Sequence, residues 1–207
     1  MSGNTWNVIS QSLGLLRGAA AAVSDSDRDA PTPCSEWTVT QVLQHAVGDQ
    51  LAWAMALGTG TGPSENPFAP SGRLDGSVDD LVGPALAVAN TAWAEVPDDD
   101  SAVPTPLPQG PLPAPAAAAA CALDAAVHAW DIAMALGRPG PLGDDLAAQL
   151  LPTAREIVEP LRQFGAYAPA LPARPGDSST SELLRYLGRN PHWTADSPDS
   201  GPDPDRG

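Results

Sequence analysis

Apolar residues recur every three or four positions along most of this chain, which is the spacing of one buried face of an α-helix. Near the N-terminus, Ile9, Leu13 and Leu16 follow this spacing. They predict a first helix over about residues 5–23. The segment that follows, residues 24–33, is polar and contains two prolines, so it predicts a loop.

A second helix is predicted where the sequence provides a capping signal. Thr38 is followed three residues later by Gln41, and the side chains of such a pair can each satisfy a free backbone N–H at a helix start. Apolar residues at helical spacing continue to about residue 57. The Gly-rich run 58–63 then ends the helix. Because this run follows a helix rather than a strand, it predicts a flexible loop rather than a phosphate-binding loop.

The same spacing predicts four more helices, over about residues 77–96, 116–136, 144–158 and 180–187. Residues 97–115 are rich in proline and cannot be helical, but their alternating apolar residues predict a short β-hairpin near Gln109 and Gly110. Together these elements predict an all-α fold, a four-helix bundle with extra C-terminal helices, in one domain over residues 1–193. Residues 194–207 are rich in Asp, Pro, Ser and Gly and predict a disordered acidic tail.

Composition supports this fold and excludes several classes of function. Alanine, the best helix former, dominates the 43% of the 207 residues that are hydrophobic. The net charge is -15 and all ten basic residues are arginine, so the surface should repel nucleic acids and anionic membranes. Neither a signal peptide nor a membrane span is predicted. Two cysteines make no disulfide framework, and we expect a cytoplasmic protein with reduced thiols.

The most informative stretch for chemistry is residues 123–133, LDAAVHAWDIA. Asp124, His128 and Asp131 lie at i, i+4 and i+7, so on a helix they form one polar stripe among apolar neighbours. A carboxylate and an imidazole one turn apart can hold the same divalent cation. If the second and fourth helices are neighbours, His45 can join Asp124 and His128. Such a set leaves the ion open positions and a net charge near +1, as in catalytic sites, and it suits zinc, nickel or ferrous iron.

Each of these residues also has a structural interpretation. A helical histidine beside an apolar face is often a hydrogen-bonded core residue, and Asp124 could be a solvated acid. Asp131 could orient the free ring nitrogen of His128, shuttle a proton or contact substrate. Asp49, one turn beyond His45, is a candidate for substrate binding, although a surface acid is the favoured interpretation. Arg17 is a candidate cation for substrate carboxylates.

Two further residues are interpreted as non-catalytic. Cys34 lies just before the second helix, where a helix dipole can lower a thiol pKa, but a small packing residue is the favoured interpretation. His192 borders the predicted tail and is not expected to take part in chemistry.

Several motifs resemble a known family. Residues 32–39 (TPCSEWTV) with 43–48 (LQHAVG), and residues 123–139 (LDAAVHAWDIAMALGRP), resemble two signatures of the actinobacterial mycothiol-dependent maleylpyruvate isomerase-like proteins, part of the DinB-like metalloprotein superfamily. Residues 164–165 and 187–191 (LGRNP) resemble their C-terminal segment. The likeness covers the chain to about Trp193. A composition rich in Ala, Arg and Pro, without lysine, fits a high-GC actinobacterial genome.

The resemblance implies a DinB-like four-helix bundle that holds a divalent metal, usually zinc. It implies that His45, Asp124 and His128 are the ligands. The isomerase has glutamate where this chain has Asp124, which changes the reach of that ligand by about one carbon–carbon bond. Understood family members use a low-molecular-weight thiol such as mycothiol as co-substrate.

Three hypotheses follow for the function. The first is a metal-dependent isomerase or transferase that acts on a small molecule, with mycothiol as its thiol. The second is a thiol-independent tailoring enzyme, such as a cyclase or lyase, in specialised metabolism. The third is a non-catalytic protein that binds a metal or a ligand. Partners other than small molecules are not expected, although a homodimer stays open.

Overall fold

The computed structural model describes residues 5–34 and 36–196, without the side chains of Thr5 and Trp6. Within these residues the protein is mostly helical, as predicted. The helices are α1 (Thr5–Ala20), a 3₁₀ turn (Asp25–Asp27), α2 (Val39–Ala56), α3 (Val78–Ala94), α4 (Ala114–Ala135), α5 (Asp144–Arg162) and α6 (Ser179–Tyr186). The predicted disordered tail begins at residue 194, and from residue 197 it lies outside the described residues.

Helices α1 to α4 form the bundle, and α4 is its central member. α4 packs against α1, α2 and α5, while α3 packs against α1 and α2. α4 is rich in alanine and nearly every residue along it is buried. Small side chains let neighbouring helices approach closely, so α4 can contact three helices at once. Polar residues on α4 are therefore held inside the bundle rather than in water.

α4 is also long and apolar enough to span a membrane by length and composition alone. Its 18-residue window has a mean hydropathy of 1.2, but 89% of that window is buried inside the protein. A buried apolar helix of this kind is the core helix of a globular bundle.

The predicted hairpin is present between α3 and α4. It consists of strands β1 (Ala102–Val103) and β2 (Leu112–Pro113), which pair antiparallel with Ala102 opposite Pro113. The three prolines of segment 104–108 keep the strands to two residues each, because proline cannot donate to a ladder.

The end of α5 differs from the prediction. The sequence predicts an end near residue 158, but the helix continues past Pro160 to Arg162. The reason is tertiary: the Arg162 guanidinium donates hydrogen bonds to the backbone carbonyls of Ala168 and Tyr186. These contacts tie the last turn of α5 to α6 and the segment before it. Predicted and observed ends of the other helices agree to within three residues.

The capping pair at the start of α2 forms as predicted. Thr38 Oγ1 accepts a hydrogen bond from the Gln41 amide at 3.4 Å, and Gln41 Oε1 accepts one from the Thr38 amide at 3.0 Å. Both bonds satisfy backbone donors that have no partner within the helix. They set the residue at which α2 begins, and therefore the direction in which each of its side chains points.

Replacing Thr38 with alanine should lower the free energy of unfolding by about 1 kcal/mol, because a helix cap is lost. Urea unfolding followed by circular dichroism measures this loss. Thr91→Ala is the matched control: Thr91 is exposed within α3 and bonds only the Ala87 carbonyl of its own helix. An equal loss in both variants would contradict a capping role for Thr38.

Candidate metal centre

Two helices bring three potential ligands together inside the bundle. His45 lies midway along α2, and Asp124 and His128 lie one turn apart on α4, which packs against α2. Asp124 Oδ1 is 3.5 Å from His45 Nε2 and 3.3 Å from His128 Nε2. The potential ligand atoms all lie within 4.8 Å of one another. From the sequence, His45 was expected to join Asp124 and His128 if α2 and α4 were neighbours. The two helices are neighbours, and the three side chains converge.

The orientation of His45 is set by a loop between α2 and α3. Its Nδ1 lies 2.9 Å from the carbonyl oxygen of Pro67. A carbonyl only accepts hydrogen bonds, so Nδ1 carries the proton and Nε2 presents a lone pair to Asp124. The imidazole is also flanked by the rings of Trp37 and Phe68, with centroids 4.6 Å and 5.4 Å away. The ring is thus held on three sides.

The orientation of His128 is set by a buried chain of charges. Its Nδ1 donates to Asp131 Oδ2 at 2.9 Å, and Asp131 is fully buried. Arg189, also buried, donates to both Asp131 oxygens, at 3.1 Å from Nη2 and 3.4 Å from Nε. Burial alone would raise the pKa of Asp131, but the charges of Arg189 and His128 outweigh it and lower that pKa. Asp131 therefore stays ionised and fixes the ring of His128.

The chemistry of these donors fits a divalent cation. The Nε2 atoms of His45 and His128 converge with one carboxylate on a common space, where their lone pairs would repel one another unless a metal ion or a proton lies between them. Asp124 Oδ2 is buried and has no hydrogen-bond partner among the described residues. A buried acceptor without a partner is costly, and a metal ion would satisfy it.

The pKa values of the cluster also show that a positive charge is favourable there. Burial disfavours the charged forms of both Asp124 and His128, but the attraction between them is stronger. It raises the pKa of His128 to about 9 and holds the pKa of Asp124 well below its usual value. A proton on His128 supplies the positive charge when no metal is bound. Metal and proton should therefore compete for this cluster.

Comparison with known proteins decides the family. Residues 10–133 match the family described as Mycothiol maleylpyruvate isomerase N-terminal domain. The chain belongs to this family. It is also 34% identical over 167 residues to two uncharacterized proteins of Mycobacterium tuberculosis, MT0763 and Rv0738, a match that covers 77% of this chain and 83% of each relative.

Solved structures of the mycothiol-dependent maleylpyruvate isomerase share the fold. The crystal structure of that isomerase superposes with a TM-score of 0.62 at 18% identity and covers 91% of this chain and 89% of its own. A histidine-to-alanine variant of it gives a TM-score of 0.60, also at 18% identity, and covers 90% and 89%. The predicted all-α fold and the predicted membership of the maleylpyruvate isomerase-like family are both confirmed.

In this family member, the two candidates for substrate binding occupy very different places. Asp49 is partly buried near the cluster rather than solvated on the surface. Burial and the negative charge of Asp124 raise its pKa well above the usual value, against the opposing charge of His128 and a hydrogen bond from Trp53. Arg17 is exposed in the last turn of α1, and the described contacts do not connect it with the cluster.

Two partners of the cluster were missed by reasoning from the sequence. Arg189 was noticed only as part of a motif, and a guanidinium 58 residues after Asp131 gives no sign of their contact. The Pro67 carbonyl could not have been singled out, because every residue has such a group. One useful signal is that residues 185–193 contain no acid. If Arg189 is buried, it therefore needs an acidic partner from a distant segment of the chain.

The residues interpreted as non-catalytic lie where that interpretation places them. Cys34 is a partly buried free thiol. Burial raises its pKa to about 11 despite the positive charge of Arg189, so the thiol stays protonated and is a poor nucleophile. His192 is exposed.

Proposed function

We propose that this protein is a metal-dependent enzyme that isomerises a small molecule, or transfers a group to or from it, with mycothiol as thiol co-substrate. The observation that carries the proposal is the convergence of two imidazole nitrogens on a carboxylate whose second oxygen is buried without a partner among the described residues. The fold supports it, because the solved isomerase with this fold is described as mycothiol-dependent.

In this proposal His45, Asp124 and His128 hold the cation. Zinc is the first choice, and nickel or ferrous iron suits the same donors. A divalent ion bound there would lower the pKa of a thiol or polarise a substrate oxygen at an open position. Asp124 neutralises one of its two charges, and the Asp131–Arg189 pair is neutral overall. A net charge of about +1 would then favour an anionic ligand such as a thiolate.

Two carboxyl groups have further roles in the proposal. Asp131 is a positioning residue that keeps the proton of His128 on Nδ1, so that Nε2 is free to bind the metal. Asp49, partly buried near the cluster, would contact a substrate oxygen. Arg17 is exposed, and its contact with a substrate carboxylate stays a prediction.

A second candidate is a thiol-independent tailoring enzyme that uses the same metal on a carbonyl substrate. A co-substrate that contains a sugar would need polar or basic groups around the metal. Among the described residues, the arginine that hydrogen bonds link to the cluster is Arg189, through Asp131, and its guanidinium is already paired with that carboxylate. This pairing favours a substrate that does not need a free guanidinium beside the metal.

Purified protein is expected to contain about one divalent cation per chain, because the cluster provides one set of ligands. Removing it with a chelator should abolish turnover of maleylpyruvate in the presence of mycothiol, and zinc should restore it. Elemental analysis and an absorbance assay, each with and without mycothiol, measure both effects.

The outcomes of this experiment separate the candidates. Turnover that needs the metal but not mycothiol supports the thiol-independent enzyme. A bound metal that raises the melting temperature without any turnover supports a non-catalytic binding protein. Protein that holds no stoichiometric metal, and gains none from added zinc, contradicts the proposed metal centre.

A further inference from the structure

Gly48 lies on α2 three residues after His45, on the same side of the helix. It is buried, and it faces the proline whose carbonyl holds the His45 ring. A Cβ atom added at Gly48 would lie 2.8 Å from Pro67 Cγ and 3.0 Å from Pro67 Cβ. Real Cβ atoms essentially never show the first distance, and the second is tighter than nine in ten Cβ contacts. The missing side chain at position 48 is therefore what allows the loop to reach α2 at Pro67.

The rest of this loop is held on α2 by two glutamines. Gln41 Nε2 donates to the Pro70 carbonyl at 3.3 Å, and Gln44 Oε1 accepts from the Gly72 amide at 2.8 Å. Gln44 Nε2 also donates to the Arg73 carbonyl at 2.8 Å. These bonds anchor residues 70–73. At Pro67 the approach of the loop to α2 depends on close packing against Gly48.

We propose that Gly48 is a positioning residue for the metal centre: its lack of a side chain lets Pro67 place its carbonyl on His45 Nδ1. The inference rests on the proposed metal site and adds to it an explanation of how one ligand, His45, is oriented. Carbon atoms in ordinary contact lie about 3.5 Å apart, so a methyl group at position 48 would push Pro67 back by roughly 0.7 Å. The hydrogen bond of 2.9 Å to His45 would then be lost.

The consequence is a weaker metal site in a folded protein. Without the carbonyl, the His45 ring loses one of the three contacts that hold it, and its Nε2 is aimed less firmly at Asp124. Loss of such a partner of a metal-binding histidine costs about 10–100-fold in metal affinity. Gly48→Ala would otherwise be favourable, because alanine forms helices better than glycine does. A fall in zinc affinity in Gly48→Ala therefore indicates a positioning role, because the better helix propensity of alanine would not by itself weaken the metal site.

The test is zinc affinity, measured by competition with a chromogenic chelator in four variants. Gly48→Ala should bind zinc 10–100-fold more weakly than the unaltered protein. Gly14→Ala is the matched control, since a Cβ atom at this mid-helix glycine meets nothing within 4 Å. It should stay within about twofold. In a His45→Ala background, Gly48→Ala should change the residual affinity by less than about twofold, because the residue through which it acts is absent.

Equal weakening with and without His45 would overturn the inference, since it would mean that Gly48 acts through the general packing of the loop. Unchanged affinity in Gly48→Ala would also overturn it. If Gly48→Ala does not fold, Gly48→Ala with Pro67→Gly removes both side-chain atoms that the methyl group meets while the backbone carbonyl stays. Recovered folding and zinc affinity would support the inference, and no recovery would overturn it.

A metal-free measurement separates this inference from the proposed function. In a crystal structure of metal-free Gly48→Ala, the Pro67 oxygen should lie beyond 3.5 Å from His45 Nδ1, outside hydrogen-bond range. If the bond persists, the inference is wrong whatever the unaltered protein does with zinc. If the unaltered protein binds no zinc but the bond is lost in the variant, the proposed function fails and the role of Gly48 in orienting His45 stands.

Discussion

Replacing either His45 or His128 with alanine should lower the affinity for zinc by more than the roughly 10–100-fold that the loss of an outer partner costs. Each substitution removes one of the three proposed protein ligands, and the two that stay would not enclose the ion. The variants should nevertheless fold, because the rest of the core is unchanged. Elemental analysis after dialysis, together with chelator competition, measures the loss.

His192→Ala is the control for these two variants. His192 is a third histidine of the chain, and it is exposed outside the cluster. The same substitution there should leave the bound zinc unchanged. Stoichiometric zinc in both His45→Ala and His128→Ala would rule out the proposed ligand set. Asp124→Asn, which keeps the shape of the side chain but removes its charge, should behave as the histidine variants do.

Replacing Arg189 with methionine should lower the free energy of unfolding by about 3–5 kcal/mol. The substitution leaves the buried carboxylate of Asp131 with its hydrogen bond from His128 but without its guanidinium. Breaking a buried ion pair by removing one partner is strongly destabilising. Zinc affinity should fall as well, because Asp131 orients His128. Urea unfolding of the metal-free protein separates the effect on stability from the effect on metal binding.

Two further variants decide whether the pairing itself is responsible. Arg155→Met removes an arginine whose ion pair with Glu182 is largely exposed, so it should cost far less. Asp131→Asn in the Arg189→Met background removes the unpaired charge and should recover part of the lost stability. If Arg155→Met is as destabilising as Arg189→Met, or if the double variant recovers nothing, the buried pair does not have the role assigned to it.

Much of the fold could be predicted because its signals are local. The capping pair Thr38 and Gln41 marks the start of α2, and both residues belong to one turn. Half of the candidate site is local in the same sense, since Asp124 and His128 are separated by one turn of a single helix. Such predictions need only the geometry of an isolated helix. The end of α5 was predicted wrongly because its cause is not local: contacts of Arg162 with residues outside the helix accompany the turn that follows Pro160.

Contacts between distant parts of the chain could not be predicted in this way. The bonds from Arg189 to Asp131 and from His45 to Pro67 depend on how a C-terminal segment and a loop lie against the bundle. Asp49 shows the same limit: a surface acid was the favoured interpretation, yet it lies partly buried near Asp124. Spacing along one helix cannot reveal what a second element brings to it.

The sequence alone determined that the chain forms helices with these approximate bounds, that its surface is acidic, and that α4 carries a carboxylate and an imidazole on one face. Helical periodicity, capping and charge are properties of neighbouring residues, and neighbours are written side by side in the sequence. Only the tertiary structure decided that α2 lies against α4, and that Pro67 and the Asp131–Arg189 pair orient the two imidazoles. It also decided that one oxygen of Asp124 is buried without a partner among the residues that the structure describes. Those facts depend on packing between segments far apart in the chain, where small residues such as Gly48 set how closely two backbones approach.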